Sequence, residues 1–275
     1  MKAGCILRAA RGIAGGWRAK WRARAARHGM HAALPGDLKR PLTYEELRAR
    51  NLSRNQSYAF FDYFYGRFLQ AEFVRHRRYF QQERRGFGED AFHAMWYVLF
   101  DRFRFRRVLE IGVYQGQVVT LWGLLARHLG YACEIHALSP FVEHGDSVSR
   151  YEKRDYLADL AAHSAFFGLP LPMLCRCHST SPEAEDYVAS RSWDLIYIDG
   201  NHDYDVALHD WRLSSRAVRT GGLVVMDDAA LGTDFSPPVF ASGGHPGPSR
   251  VANETGLSEF AEIMGVGHNR VFMKV

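Results

Sequence analysis

Acids gather where two apolar runs of this chain stop. Trp193 to Tyr204 reads W-D-L-I-Y-I-D-G-N-H-D-Y and ends its run on Asp199, and G-G-L-V-V-M-D-D ends on Asp227 and Asp228. Leu195 to Ile198 and Leu223 to Met226 are short, continuously apolar and bounded by Gly or Asp, as strands buried on both faces of a parallel sheet read. Tyr204, Leu208 and Trp211 recur between them at helical spacing, which predicts strand, helix, strand with a right-handed crossover. Both acidic ends then emerge on one edge, the carboxyl edge where open α/β sheets bind ligands. A second stretch, Val108 to Leu125, reads V-L-E-I-G-V-Y-Q-G-Q-V-V-T-L-W-G-L-L. Strand, tight glycine turn and apolar-periodic helix make a nucleotide cradle, with Gly112 and Gly116 letting the backbone approach a ligand. Tyr114 stands where a dinucleotide fingerprint needs its second glycine, and Glu110 would repel a pyrophosphate while favouring a positively charged cofactor.

The segment Glu110 to Gly116, E-I-G-V-Y-Q-G, resembles the first cofactor motif of class I S-adenosylmethionine-dependent methyltransferases, in the E-x-G-x-Y-x-G form of metal-dependent O-methyltransferases of the catechol and caffeoyl-CoA type. The downstream I-D-G-N-H-x-Y and G-G-x-x-x-x-D-D elements resemble bacterial members of that superfamily, including enzymes that methylate sugars of natural products. The likeness runs from about Arg106 to the end of the chain. It implies that Glu110, Gly112, Tyr114 and Gly116, with Asp199, hold S-adenosylmethionine, and that Asp199, Asp227 and Asp228 ligate a metal. The oxygen-only set suits Mg²⁺ or another hard divalent cation. Capping of the following helices is the structural alternative for Asp199 and Asp227, but three uncompensated acids on one edge would repel. His202 matches the position of a catalytic lysine in those relatives and is expected, with Asp199, in the catalytic set; a plain hydrogen-bonding role is the alternative. The implied function is Mg²⁺-dependent O-methylation of a hydroxyl on a small molecule or sugar.

Two cofactor contacts depart from the family pattern. After the second strand, Glu134 to Leu138, the chain reads H-A-L-S-P-F where relatives place a ribose-binding acid; Ser139 is the nearest candidate and Asp146 the alternative. Past a third strand near Met173 to Arg176, Ser179 and Thr180 fall where relatives offer a polar group to the adenine, with capping of the helix begun by Pro182 as the competitor. Residues 229 to 256 are dense in Gly, Pro and Ser and carry no periodicity, so they read as a lid loop from which His245 and Arg250 could reach the acceptor. G-N-H-D, Gly200 to Asp203, also resembles one motif of calcineurin-like metallophosphoesterases, but the companion D-x-H and G-D-x-x-D do not occur. A non-catalytic protein of the methyltransferase fold is the other alternative.

The elements that must position these residues form a doubly wound, mostly parallel Rossmann-like α/β sheet over residues 105 to 275, preceded by a helical extension. Residues 37 to 104 read as two or three cover helices rich in aromatics, the last from about Glu89 to Phe103. The Tyr and Phe cluster at 58 to 68 reads as core, with a substrate pocket or dimer face as alternatives, and a homo-oligomer is compatible with it. Residues 1 to 36 form a basic arm: eight of 35 Lys and Arg precede the first acid, Asp37, leaving a nearly neutral body. With Ile13, Trp17 and Trp21 every four residues, residues 1 to 30 suit weak contact with an anionic membrane surface; a solvated arm is slightly favoured, and a transit peptide would look similar. No nucleic-acid module accompanies these arginines. No run approaches a membrane span, and Cys5, Cys133, Cys175 and Cys177 show neither a disulfide framework nor zinc spacing, which points to a soluble, cytoplasmic protein.

Overall fold

Alternation along the central strands assigns every second side chain to one of two cores. In β1 (Arg107–Ile111), Val108 joins one apolar cluster while Leu109 and Ile111 join the other. β4 (Trp193–Ile198) divides likewise, Leu195 and Tyr197 against Ile196 and Ile198, as does β5 (Val218–Met226), Leu223 and Val225 against Val224 and Met226. That two-sided burial is why these runs lack a polar face. With β2 (Glu134–Leu138), β3 (Met173–Cys175), and the antiparallel hairpin of β6 (Phe260–Val266) and β7 (Asn269–Lys274), the sheet order is β3-β2-β1-β4-β5-β7-β6. β1 to β5 run parallel, as expected for a doubly wound sheet. This computed structural model describes residues 3–150, 152–255 and 259–275, and side chains from residue 18 onward.

The N-terminal part supplies α1 (Ala3–Ala32), α2 (Tyr44–Arg50), α3 (Arg54–Arg67), α4 (Ala71–Gln81) and α5 (Asp90–Phe103). Thr43 and Ser53 close capping boxes that start α2 and α3. Residues 3–32 are helical; the expected stripe rests on Ile13 and Trp17, which lie outside the described side chains, while Trp21 is 72% exposed. The aromatic cluster is core: Tyr58, Phe60, Phe61 and Phe64 are buried. α5 presses Trp96 edge-on against Trp122 and Tyr197, so the cover helices and the sheet share one core. No described helix is long and apolar enough to cross a membrane.

α6 (Gln117–His128), α7 (Tyr156–Phe166), α8 (Pro182–Ala189) and α9 (Tyr204–Ala217) complete the winding. The segment expected to be all loop holds α10 (Pro246–Glu254). Prolines at its first turn pre-set a helical φ, but only Val251 and Ala252 give it an apolar face, too little periodicity to notice. Its approach, residues 229 to 245, is tied down by the Ala229–Gly244 bridge and by Phe235, which packs on Tyr58.

Candidate active site

The strand ladder itself carries the candidate residues side by side. Beyond the last regular pairs, Gly112 donates its N–H to Leu138, Asp199 to Ile111 and Asp227 to Ile198, each at 2.9 Å. Gly112, Asp199 and Asp227 therefore leave the sheet in register on one edge. Gly112 has φ +99°, and a Cβ there would stand 2.1 Å from the Asp199 carbonyl oxygen. The glycine is needed for the approach of the β1 and β4 ends as much as for a ligand. Gly112→Ala is therefore expected to lose about 3 kcal/mol of stability, from the backbone overlap plus a left-handed φ, measured by denaturant unfolding; an unchanged midpoint would show that the loops separate freely. Gly116, φ +84°, caps α6, and its missing Cβ makes room for Leu160.

Asp199, Asp227 and Asp228 line one cavity, but among the described residues the possible ligand atoms that lie within 4.8 Å of one another are those of Asp227, Asp228 and His268 and of His202, Asp228 and His245, histidines that the sequence did not place there as ligands. Burial, then the charges of Asp227, Glu110 and Asp228, push Asp199 well above the usual carboxylate range. Burial opposes ionisation of Asp227 too, yet the His268 charge and hydrogen bonds from His268 and Asp199 hold it below that range. His268, on the β6–β7 turn, places Nδ1 2.9 Å from Asp227 Oδ1 and 3.3 Å from Asp228 Oδ1. Asn269 Nδ2 donates to Asp227 Oδ1 at 2.7 Å. A signal for both existed: β7 runs antiparallel to β5, so it must begin beside the residues where β5 ends.

His202 is fixed between two carboxylates. Its Nδ1 lies 2.6 Å from Asp146 Oδ2 and its Nε2 2.9 Å from Asp228 Oδ2. Burial lowers its pKa, but Asp228 and Asp146 outweigh burial and raise it to about 9. The His245 ring sits 4.4 Å from that of His202, with Nε2 3.8 Å from Asp228. Asp146 lines the first cavity with its carboxylate already engaged: Oδ1 accepts the N–H groups of Val148 and Ser149, and Oδ2 accepts that of His202. Arg250 leaves the site, pairing with Glu254 at 2.8 Å and covering Tyr204.

Two adjoining cavities meet at this edge. The first is lined by Gly112, Tyr114, Ser139, Ser179 and Thr180 among others. Ser181, not Ser179 or Thr180, caps α8, so the capping alternative for that pair falls away. The second, about 560 Å³, is lined by Glu110, Asp199, His202, Asp227, Asp228, His245 and His268 on one side and by Phe92, Trp96 and residues 83–89 on the other. Gly112, Tyr114 and Ser149 line both. Glu110 accepts the Val119 N–H at 3.2 Å, and burial, reinforced by Asp227, raises its pKa to about 8.

Residues 109–229 match a family model described as a methyltransferase domain. No curated protein matches the chain. Among solved structures, the O-methyltransferase TomG of Streptomyces achromogenes, in complex with S-adenosylmethionine, superposes with TM-score 0.51 at 17% identity, covering 82% of this chain and 99% of that one. An O-methyltransferase of Bacillus cereus in complex with S-adenosylhomocysteine gives 0.51 at 12% identity, covering 79% and 97%. The S-adenosylhomocysteine-bound methyltransferase PaMTH1 of Podospora anserina gives 0.52 at 14% identity, covering 75% and 89%. At such identities the structural likeness speaks for the fold alone: the chain shares the fold of these methyltransferase structures, and its residues 109–229, under half of its length, match a methyltransferase domain.

Proposed function

We propose that this protein transfers a methyl group from S-adenosylmethionine to a hydroxyl of a small molecule or sugar, with Mg²⁺ or another divalent cation in the site. The observation that carries it is that Asp199, Asp227 and Asp228 line the second cavity, which shares Gly112 and Tyr114 with the first. Burial, then the neighbouring acids, push Asp199 well above the usual carboxylate range, a cost that a cation beside it would relieve, and the carboxylate oxygens of Asp199, Asp227 and Asp228 suit a hard cation. Both glycine positions are filled in space by neighbours that a side chain would displace, and the first cavity opens directly from that bend.

In this reading Gly112, Tyr114, Ser139, Ser179 and Thr180 hold the cofactor, Glu110 closes the bend beneath it, and the three aspartates hold the ion. When bound, the sulfonium supplies the methyl group and the cation lowers the acceptor hydroxyl's pKa. His202 would act as the base from its neutral form, whose one proton stays on Nδ1 against Asp146, so that Nε2 has a lone pair for the acceptor's proton; the Asp228 carboxylate that now holds a proton at Nε2 would then be committed to the ion. Residues 83–89, with Phe92 and Trp96, wall the acceptor cavity from water. Calorimetry with S-adenosylhomocysteine, with and without Mg²⁺ or Mn²⁺, tests this. Saturable nucleoside binding and separate binding of the ion are expected. An inert response to S-adenosylhomocysteine would reject it.

A further inference from the structure

One group in the wall of the larger cavity has no use in the folded chain. Gln117 opens α6 with its side chain beneath the turn at residues 85–88, where two glycines leave it room: a Cβ on Gly86 would lie 1.7 Å from its Oε1, and one on Gly88 2.7 Å from its Nε2. The residue is 7% exposed, and neither Oε1 nor Nε2 has a hydrogen-bond partner. Exchanging the two atoms changes nothing, since both are orphaned. Its neighbours on the same wall are engaged. His93 pairs with His76, and Gln115 offers Nε2 to the Arg84 carbonyl and Oε1 to His163, each at 3.5 Å. Among the described residues that line this cavity, only Gln117 has buried side-chain polar atoms without a partner. Buried polar groups are normally paired, because leaving one unpaired forfeits its hydration for nothing. The carboxamide lies in the cavity wall beneath the Gly86–Gly88 turn, where an occupant that displaces this turn reaches both atoms.

We propose that Gln117 reads the acceptor, taking a part of it that presents a hydrogen-bond donor beside a hydrogen-bond acceptor. Vicinal diols and primary amides share that chemistry, and either satisfies both carboxamide atoms at once. A bare aryl or alkyl surface leaves both atoms unpaired and is discriminated against. The inference rests on the methyl-transfer reading for the identity of the cavity's occupant, and its test is arranged so that the two fail separately.

The test compares wild type with Gln117→Met in two measurements. In thermal unfolding without ligand the variant is expected to melt roughly 2–4 °C higher, since an unpaired amide is replaced by an apolar chain of similar length. A variant that melts lower would show that the carboxamide is paired within the fold, and the proposal fails. In ligand-observed NMR on protein loaded with S-adenosylhomocysteine, the probes are methyl α-D-glucopyranoside, benzamide and p-cresol. The glycoside or benzamide is expected to bind wild type and to lose about tenfold in affinity in the variant, while p-cresol, which leaves the carboxamide unpaired, is expected to bind the variant more tightly than wild type. Wild type that ignores both polar probes, or a variant that binds them as well, overturns the assignment. Absence of S-adenosylhomocysteine binding sinks methyl transfer instead, and the unfolding comparison then decides by itself whether Gln117 is orphaned.

Discussion

Asp228→Ala is expected to cut methyl transfer about a thousandfold or more, a loss of roughly 4 kcal/mol in transition-state stabilisation, while S-adenosylhomocysteine still binds. Three imidazoles meet this one carboxylate: His202 Nε2 at 2.9 Å, His268 Nδ1 at 3.3 Å and His245 Nε2 at 3.8 Å. Removing it takes away a proposed ion ligand and the anchor of the proposed base together. The backbone adds a constraint of its own. Asp228 has φ +51°, its carbonyl accepts the His245 N–H and the Ser249 hydroxyl, and Gly244 packs so closely that a Cβ would lie 2.3 Å from it. Alanine tolerates that left-handed conformation less well than Asp or Asn, by about 1 kcal/mol. Asp228→Asn keeps an oxygen toward the ion and suits the backbone, so it should retain more activity than the alanine variant. Both variants are expected to fold, since the relief of Asp199 offsets part of what His202 and His268 lose with their partner. Mn²⁺ binding by calorimetry should weaken at least about tenfold in the alanine variant. Undiminished transfer there would remove Asp228 from the machinery.

How much of this could be read in the sequence follows from how locally each feature is determined. β1, β4 and β5 were legible because strands covered on both faces must be apolar throughout, and their acidic ends because the parallel ladder leaves them no other edge. The Asp146–His202 contact spans 56 residues and depends on the path of a loop that has no periodicity, so Asp146 was available to the sequence only as an acid in the right neighbourhood. His268 and Asn269 sit in a turn that looks like ordinary hairpin chemistry until β7 is known to lie beside β5. The cover helices were foreseen as a group, but α2, α3 and α4 are short and set apart by caps. Gln117 could not be singled out at all. A glutamine at the start of a helix is unremarkable, and only the glycine turn folded over it from another part of the chain shows that its amide is buried and unpaired.

The largest stability effect is expected from acid, and it comes from two imidazoles that have no room for another proton. His76 Nδ1 lies 3.0 Å from His93 Nε2, and His76 Nε2 lies 3.0 Å from the Thr120 hydroxyl. The Thr120 hydroxyl donates to the Gly116 carbonyl at 2.6 Å, so it accepts from His76 Nε2–H, and His76 Nδ1 then accepts from His93 Nε2–H. A further proton on His76 would set two N–H groups against each other inside the core. Burial, with the charges of Arg77 and His163, lowers His76 to about 3; burial, then His76 and Arg77, take His93 well below its ordinary value. The sign follows from linkage. In the unfolded chain both rings titrate normally, so the stability is intact above about pH 6.5 and drains away as pH falls, each ring costing about 2 kcal/mol by pH 5 and the pair about 4. His202 and His268 are raised instead, so each still gains about 0.8 kcal/mol between pH 7 and pH 5 as the unfolded chain protonates, which offsets part of that loss. His136 and His163 are lowered and add to the loss. Denaturant unfolding at pH 7, 6 and 5 measures the slope, and imidazole ¹⁵N shifts identify the rings that stay neutral at pH 5. Native-state titration of His76 or His93 near pH 6.5 would mean that water reaches the chain between α4, α5 and α6, and the acid lability would then need another source.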